Sequence, residues 1–270
     1  MYLSYWNLIE RPFNNTPDTR YLYHSQEHEE ALFRLFYAVS YGLGGAMLSG
    51  VFGCGKTLIG KALSEELRQR NYVVGYISNP QLNNVELLRE IVYRLGVREN
   101  LPREKTDLLH LLDNILTNNY NDGKSTLVVI DEAHIIESRE VFEELRLLLN
   151  FQTDGKFLIT LLLIGQPELR DKINNIKPLA QRISIKCYLD RFSQEDTKKY
   201  ILHRLKVGGW DENNEIFTED AIESIYHYSG GIPRRINTIC DFSLLAGYGK
   251  KVKVIDKRIV EDTVRGLDLE

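Results

Sequence analysis

Apolar and polar positions follow two rhythms along the first two thirds of the chain. Short apolar runs bounded by turn residues occur at Ala46-Met47-Leu48, Tyr72 to Ile77, Thr126 to Ile130, Phe157 to Ile164 and Ile185 to Leu189. Runs of this length and continuity suit strands buried on both faces of a parallel sheet. Between them, apolar residues recur at helical spacing: Ala31, Leu32, Leu35, Phe36 and Val39 first, then Leu58 to Arg70, Val85 to Leu95, Lys105 to Tyr120 and Val141 to Phe151. Asn121-Asp122-Gly123 and Asp154-Gly155 mark turns. A short helix and the segment Leu179-Ala180-Gln181-Arg182-Ile183 precede the last strand. Strands separated by helices predict a doubly wound parallel sheet.

From Ser193 the pattern is purely helical. Ser193-Gln194-Glu195-Asp196, Thr218-Glu219-Asp220 and Gly231-Ile232-Pro233 each open a helix, and Ile255 to Val264 is a candidate fourth. At the other end, Pro12 and Pro17 lie among Tyr5, Trp6, Phe13, Tyr21 and Tyr23, which predicts an ordered, extended arm packed by its aromatic residues. The chain thus divides into an arm (1–25), an α/β domain (26–192) and a small helical domain (193–270), with no low-complexity linker or internal repeat.

Composition narrows the function classes. With 43% hydrophobic and 27% charged residues over 270 positions, the chain reads as an ordinary soluble globular protein. A formal charge of −4 gives no global basic signature, so any nucleic-acid contact depends on a local patch. The one dense basic cluster is Lys250-Lys251-Val252-Lys253 with Lys257-Arg258, which a solvated helix end explains equally well. Cys54, Cys187 and Cys240 are far apart and form no zinc or disulfide pattern, which favours a reducing, cytoplasmic compartment. No stretch approaches the roughly 20 apolar residues that span a bilayer, and the N-terminus does not read as an export signal.

Candidate chemistry begins at Gly50-Val51-Phe52-Gly53-Cys54-Gly55-Lys56-Thr57. It fits G-x-x-x-x-G-K-[ST], between an apolar run and a helical pattern, which is the context a phosphate-binding loop requires. The backbone from Gly50 through Gly53, Cys54 and Gly55 to Leu58 would surround a triphosphate at a helix N-terminus. Lys56 would reach the β- and γ-phosphates, and Thr57 would ligate Mg²⁺. Asp131 and Glu132 end a buried strand; the first takes the metal role and the second the general-base role. His134 is read as a neighbour of the site and not as a catalyst.

Gln166 follows the next strand and would orient water if that strand lay between the loop strand and the Asp131 strand; Gly-Gln-Pro is otherwise a turn. Asn79 ends the second strand, where it either restrains Glu132 or forms a turn before Pro80. Arg182 precedes the last strand, on a sheet edge from which it could reach a neighbouring subunit's site. Arg234 opens a helix and could contact the γ-phosphate of its own subunit, with Arg235 as an alternative that spacing leaves open.

Together these residues resemble the AAA+ superfamily. Gly-x-Pro-Arg looks like its second sensor, the polar residue after the strand that follows Asp-Glu like its first, and Gln181-Arg182-Ile183 like its arginine-finger box. Within the superfamily, Pro12-Phe13, Thr16-Pro17-Asp18, Tyr21, Tyr23, Ser25 and His28, with Asp131-Glu132-Ala133-His134, Glu144 to Phe151 and Gly165-Gln166-Pro167-Glu168-Leu169, resemble the general secretion pathway protein A (ExeA-type) ATPases. The resemblance implies a three-layer core with a parallel five-stranded sheet and a helical lid, binding Mg²⁺ and ATP between them. It also implies a hexamer or other ring in which Arg182 completes the neighbour's site. The service implied is assembly of type II secretion or type IV pilus machinery, by a cytoplasmic protein recruited to the inner membrane through a membrane-anchored partner. Transposition-regulator ATPases, which oligomerise on DNA, resemble the same lineage, and an ATP-gated scaffold is a third reading.

Overall fold

The five apolar runs supply the strands of one parallel sheet, in the order β2-β3-β6-β1-β7, with Phe157 falling outside it. The structure is a computed structural model and describes residues 2–268. Its elements are α1 (Gln26–Ser40), β1 (Gly45–Gly50), α2 (Lys56–Arg68), β2 (Tyr72–Ile77), α3 (Asn84–Arg94), α4 (Lys105–Asn121), β3 (Ser125–Ile130), α5 (Arg139–Leu148), β4 (Gln152–Thr153), β5 (Lys156–Phe157), β6 (Ile159–Gly165), α6 (Glu168–Asn174), α7 (Lys177–Arg182) and β7 (Ile183–Leu189). The helices α8 (Gln194–Val207), α9 (Glu219–Ser229), α10 (Pro233–Lys250) and α11 (Lys257–Gly266) follow.

Contacts group the chain into two compact units. One holds Gln26–Val51 and Lys56–Leu189; the other holds the arm through Ser25, Phe52–Gly55 and the chain from Asp190. In the sheet unit, the central strands β1 and β6 are buried at every position, whereas the edge strand β7 alternates buried and open positions. That is why the central runs are uninterrupted in sequence while the edge run carries Ser184, Lys186 and Tyr188. One sheet face sends Met47, Val128, Ile130, Leu161 and Leu163 into a core with α3, α4 and α5. The alternate residues Ala46, Leu48, Leu127, Val129, Leu162 and Ile164 are equally buried, and the two faces give the three-layer arrangement. Truncating a central residue such as Leu163 to Ala costs about 2–5 kcal/mol through lost burial and a residual cavity.

Several boundaries differ from the pattern-based expectation, each for a local reason. The run at Phe157 to Ile164 is not one strand: Asp154 (φ 50°) and Gly155 (φ 75°) turn β4 into β5 as a small antiparallel hairpin that takes Phe157, and β6 starts at Ile159. Two successive positive φ values are the tight-hairpin signature. Leu179 to Arg182 lies in α7, and the last strand starts at Ile183. Helix α2 begins at Lys56, inside the phosphate-loop motif, and α5 ends at Leu148.

In the helical unit, Ser193, Thr218 and Asp256 cap α8, α9 and α11 by accepting from backbone N–H groups. Ile255 lies outside the fourth helix, in a bridge with Phe217. The arm contains two short 3-10 turns, Ser4–Trp6 and Thr19–Tyr21, and buries Trp6, Phe13 and Tyr21. Trp6 and Phe13 join the same core as Ile201, Ile236 and Leu244. Buried Arg204 fastens the arm from α8: it donates to Pro12 O, to Asn14 O at 2.9 Å and to Tyr200 Oη at 2.8 Å, with its guanidinium 4.5 Å from the Tyr21 ring centroid. No helix among the described residues is long and apolar enough to cross a membrane.

Candidate nucleotide site

Parallel strands deliver their C-terminal ends to one edge of a sheet, and ligands of open α/β sheets bind there. In the sheet unit that edge carries Val51 after β1 and Lys56-Thr57 at the start of α2, Asn79 after β2, Asp131-Glu132 after β3 and Gln166 after β6. Strand β6 pairs with β3 on one side and β1 on the other. Gln166 therefore leaves the sheet between the phosphate-loop strand and the carboxylate strand.

The loop's glycines answer different demands. A Cβ on Gly50 would meet Leu189 O at 2.3 Å, so the neighbouring strand β7 requires this glycine. Gly53 and Gly55 have φ +84° and +91°, in the region that side chains rarely adopt. Lys56 is buried and folds back on its own loop, its Nζ donating to Gly50 O at 2.9 Å and Val51 O at 2.8 Å. A buried ammonium that bonds loop carbonyls is held in place beside the helix N-terminus, where an anionic ligand is favoured.

Asp131 is buried and has two donors: the backbone N–H of Glu132 reaches Oδ1 at 2.9 Å, and the Tyr76 hydroxyl reaches Oδ2 at 2.8 Å. Burial, reinforced by the Asp131 charge, pushes the Tyr76 phenol far above its usual range, so it remains a donor. Tyr76 was not among the sequence candidates, because a tyrosine inside a strand carries no motif; only the pairing of β2 with β3 brings it to Asp131. Glu132 has left-handed backbone, φ 55° and ψ 31°, which costs about 1–3 kcal/mol for a side-chain-bearing residue at a functional site. Its Oε2 lies 3.3 Å from Nδ1 of His134.

Asn79 Oδ1 accepts from the Gln81 N–H at 3.4 Å, the turn geometry of an Asn before proline. Arg182 ends α7, and a Cβ on Gly45 would meet its carbonyl at 2.8 Å. It therefore stands at the start of β1, about 16 Å of strand from the phosphate loop at 3.3 Å per residue. Its guanidinium donates to Leu149 O at 2.9 Å and Asn150 Oδ1 at 3.1 Å, past the end of α5. In the helical unit, the Arg234 N–H donates to Gly53 O at 3.3 Å and its guanidinium lies 4.9 Å from the Phe52 ring centroid. A Cβ on Gly231 would meet Phe192 O at 2.1 Å, which fixes the glycine before this helix.

The donor set fits Mg²⁺-ATP. Thr57 and Asp131 carry the hard oxygen atoms that Mg²⁺ prefers, and the positive-φ glycines and Lys56 are of the kind that would cradle phosphates. Part of the basic cluster near the C-terminus is neutralised within its own unit, where Lys250 pairs with Asp262 at 2.7 Å and Lys257 with Glu261 at 3.8 Å. Among the described residues, no group of three His, Cys, Asp or Glu side chains is placed to hold a metal ion.

Comparison with known proteins agrees with this fold. A family described as an AAA domain matches residues 41–173. General secretion pathway protein A of Aeromonas hydrophila is 38% identical over 257 residues, 93% of this chain and 45% of its own length. The chain thus spans less than half of that relative. Among solved structures, Cdc6p of Pyrobaculum aerophilum superposes with a TM-score of 0.75 at 20% identity, covering 96% of this chain and 71% of that one. The ORC2 protein of Aeropyrum pernix, solved as ADPNP–ADP complexes, gives 0.71 at 19%, covering 95% and 71%. Identities this low speak to fold alone. The chain belongs to the AAA+ superfamily and is related along nearly its whole length to general secretion pathway protein A.

Proposed function

We propose that the chain is a Mg²⁺-dependent ATPase that works as a hexamer or other ring. The observation that carries this reading is the gathering of Lys56, Thr57, Asp131, Glu132 and Gln166 at the C-terminal ends of β1, β3 and β6. The loop amides and Lys56 bind the phosphates, and Thr57 and Asp131 hold the metal. When bound, Mg²⁺ neutralises charge on the β- and γ-phosphates. Gln166 orients the attacking water, and Glu132 takes its proton as the water oxygen bonds to the γ-phosphorus and the bond to the bridging oxygen breaks, with ADP leaving. Arg234, against loop residues 52 and 53, senses the γ-phosphate. Arg182 stands too far from its own loop to help there and stabilises the transition state in the neighbouring subunit.

The chain's service is assembly of a secretion or pilus-type envelope complex, in the cytoplasm, with a membrane-anchored partner; the similarity to general secretion pathway protein A supports the secretion part of this reading. Phosphate release measured with and without double-stranded DNA, alongside mass measurement in ATP, ADP and no nucleotide, tests this. ATP-dependent oligomers and turnover indifferent to DNA are expected. DNA-stimulated turnover with filaments on DNA would overturn the envelope-assembly reading in favour of a transposition-regulator type.

A further inference from the structure

The turn that follows β3 sets a second side chain against the water-activating carboxylate. We propose that His134 is a positioning residue for Glu132, its Nδ1–H holding one carboxylate oxygen so that the other faces the attacking water. The proposal rests on the reading of the site as an ATP hydrolase.

His134 Nδ1 is buried and has no hydrogen-bond partner, while Glu132 Oε2 lies 3.3 Å away, off the line of a bond. A buried ring nitrogen without a partner is costly, and with its proton on Nδ1 the ring would satisfy it by donating to Glu132. The two partners differ in mobility in the sense the role requires. The His134 side chain is only 14% exposed against 43% for Glu132. The histidine's backbone is fixed from two sides: Lys172 Nζ donates to His134 O at 2.5 Å and Ile136 O at 2.8 Å, and a Cβ on Gly165 would come within 3.1 Å of His134 N. The ring is therefore a fixed post beside the strand end that carries Gln166. Glu132 has three side-chain torsions and is largely open, so without a post it spreads over rotamers that do not face the water. Asn79, which the sequence offered as a restraint on Glu132, has its side-chain oxygen in a turn with the Gln81 N–H.

The experiment compares the full chain with Glu132→Gln, His134→Leu, His134→Asn and the double variant Glu132→Gln/His134→Leu, measuring phosphate release from Mg²⁺-ATP and affinity for a fluorescent ATP analogue. His134→Leu should lower kcat about tenfold, the scale of losing a group that orients a reacting ligand, with KM and analogue affinity unchanged. His134→Asn, whose amide N–H takes the place of Nδ1–H, should stay within about twofold of the parent. Adding His134→Leu to Glu132→Gln should cost nothing further, because the carboxylate it positions is gone. Parental turnover in His134→Leu, equal losses in the Leu and Asn variants, or loss of analogue binding in His134→Leu would each overturn the positioning role while leaving the hydrolase reading intact. A parent chain that binds the analogue but releases no phosphate would overturn both.

Discussion

The Tyr76 hydroxyl donates a 2.8 Å hydrogen bond to Oδ2 of Asp131, joining the penultimate residue of β2 to the residue that follows β3. With the Glu132 N–H on Oδ1, both oxygens of the buried carboxylate are aimed before any ion arrives. Tyr76→Phe should therefore raise the Mg²⁺ concentration needed for half-maximal phosphate release about tenfold, as outer-shell partners of metal ligands do. An unchanged Mg²⁺ dependence would show that the hydroxyl only stabilises the fold.

Arg182 makes a prediction that mixing experiments read directly. Arg182→Ala and Glu132→Gln should each bind nucleotide and each lose turnover alone. Mixed in equal amounts, they form interfaces at which an intact Glu132 meets an intact Arg182 from the neighbour, so activity should return to about a quarter of the parental rate, the share of such interfaces in a random ring. No recovery on mixing would place the arginine's role within its own subunit, where its contacts to Leu149 and Asn150 close the end of α5.

Arg204 ties the N-terminal arm to α8. Replacing it with Met leaves Pro12 O, Asn14 O and the Tyr200 hydroxyl short of a donor. The urea midpoint should fall by the equivalent of about 3 kcal/mol, with protease cleavage appearing first in residues 1–25. A midpoint equal to the parent's would mean that the aromatic packing of Trp6 and Phe13 holds the arm by itself.

Much of this was legible in the sequence, and the exceptions share a cause. The five strand runs, the phosphate loop and the helix starts at Ser193 and Thr218 are local signals, written in consecutive residues. Gly50 was legible as part of a motif, but the demand of Leu189 O on it was not, because that contact joins positions far apart in the chain. Tyr76 escaped for the same reason: a tyrosine in a strand meets a carboxylate only through register. His134 was legible as a neighbour of the site, but its burial and its distance to Glu132 were not. The hairpin at Asp154-Gly155 was visible as a turn, yet its effect on the next strand's start depended on pairing.

The arm also predicts an alkaline response. Burial, and then the hydrogen bond it donates to Asp196, push the Tyr23 phenol from 10.0 up to about 12. The native state keeps a proton that the unfolded chain releases in this window, so stability is fully present below about pH 10 and falls as pH rises toward about 12. Denaturation at about pH 9 and about pH 11 should show a smaller loss in Tyr23→Phe than in the parent. Equal losses would assign the alkaline instability to other groups.

The proposed role of Glu132 is to activate water against ATP held by Lys56 and its loop. Single-turnover phosphate release by the parent and by Glu132→Gln, both with Mg²⁺-ATP and at matched nucleotide occupancy, tests it most directly. Glu132→Gln should bind ATP undiminished and hydrolyse it at least about a hundredfold more slowly, the scale of losing a general base. Hydrolysis at the parental rate by that variant would contradict it.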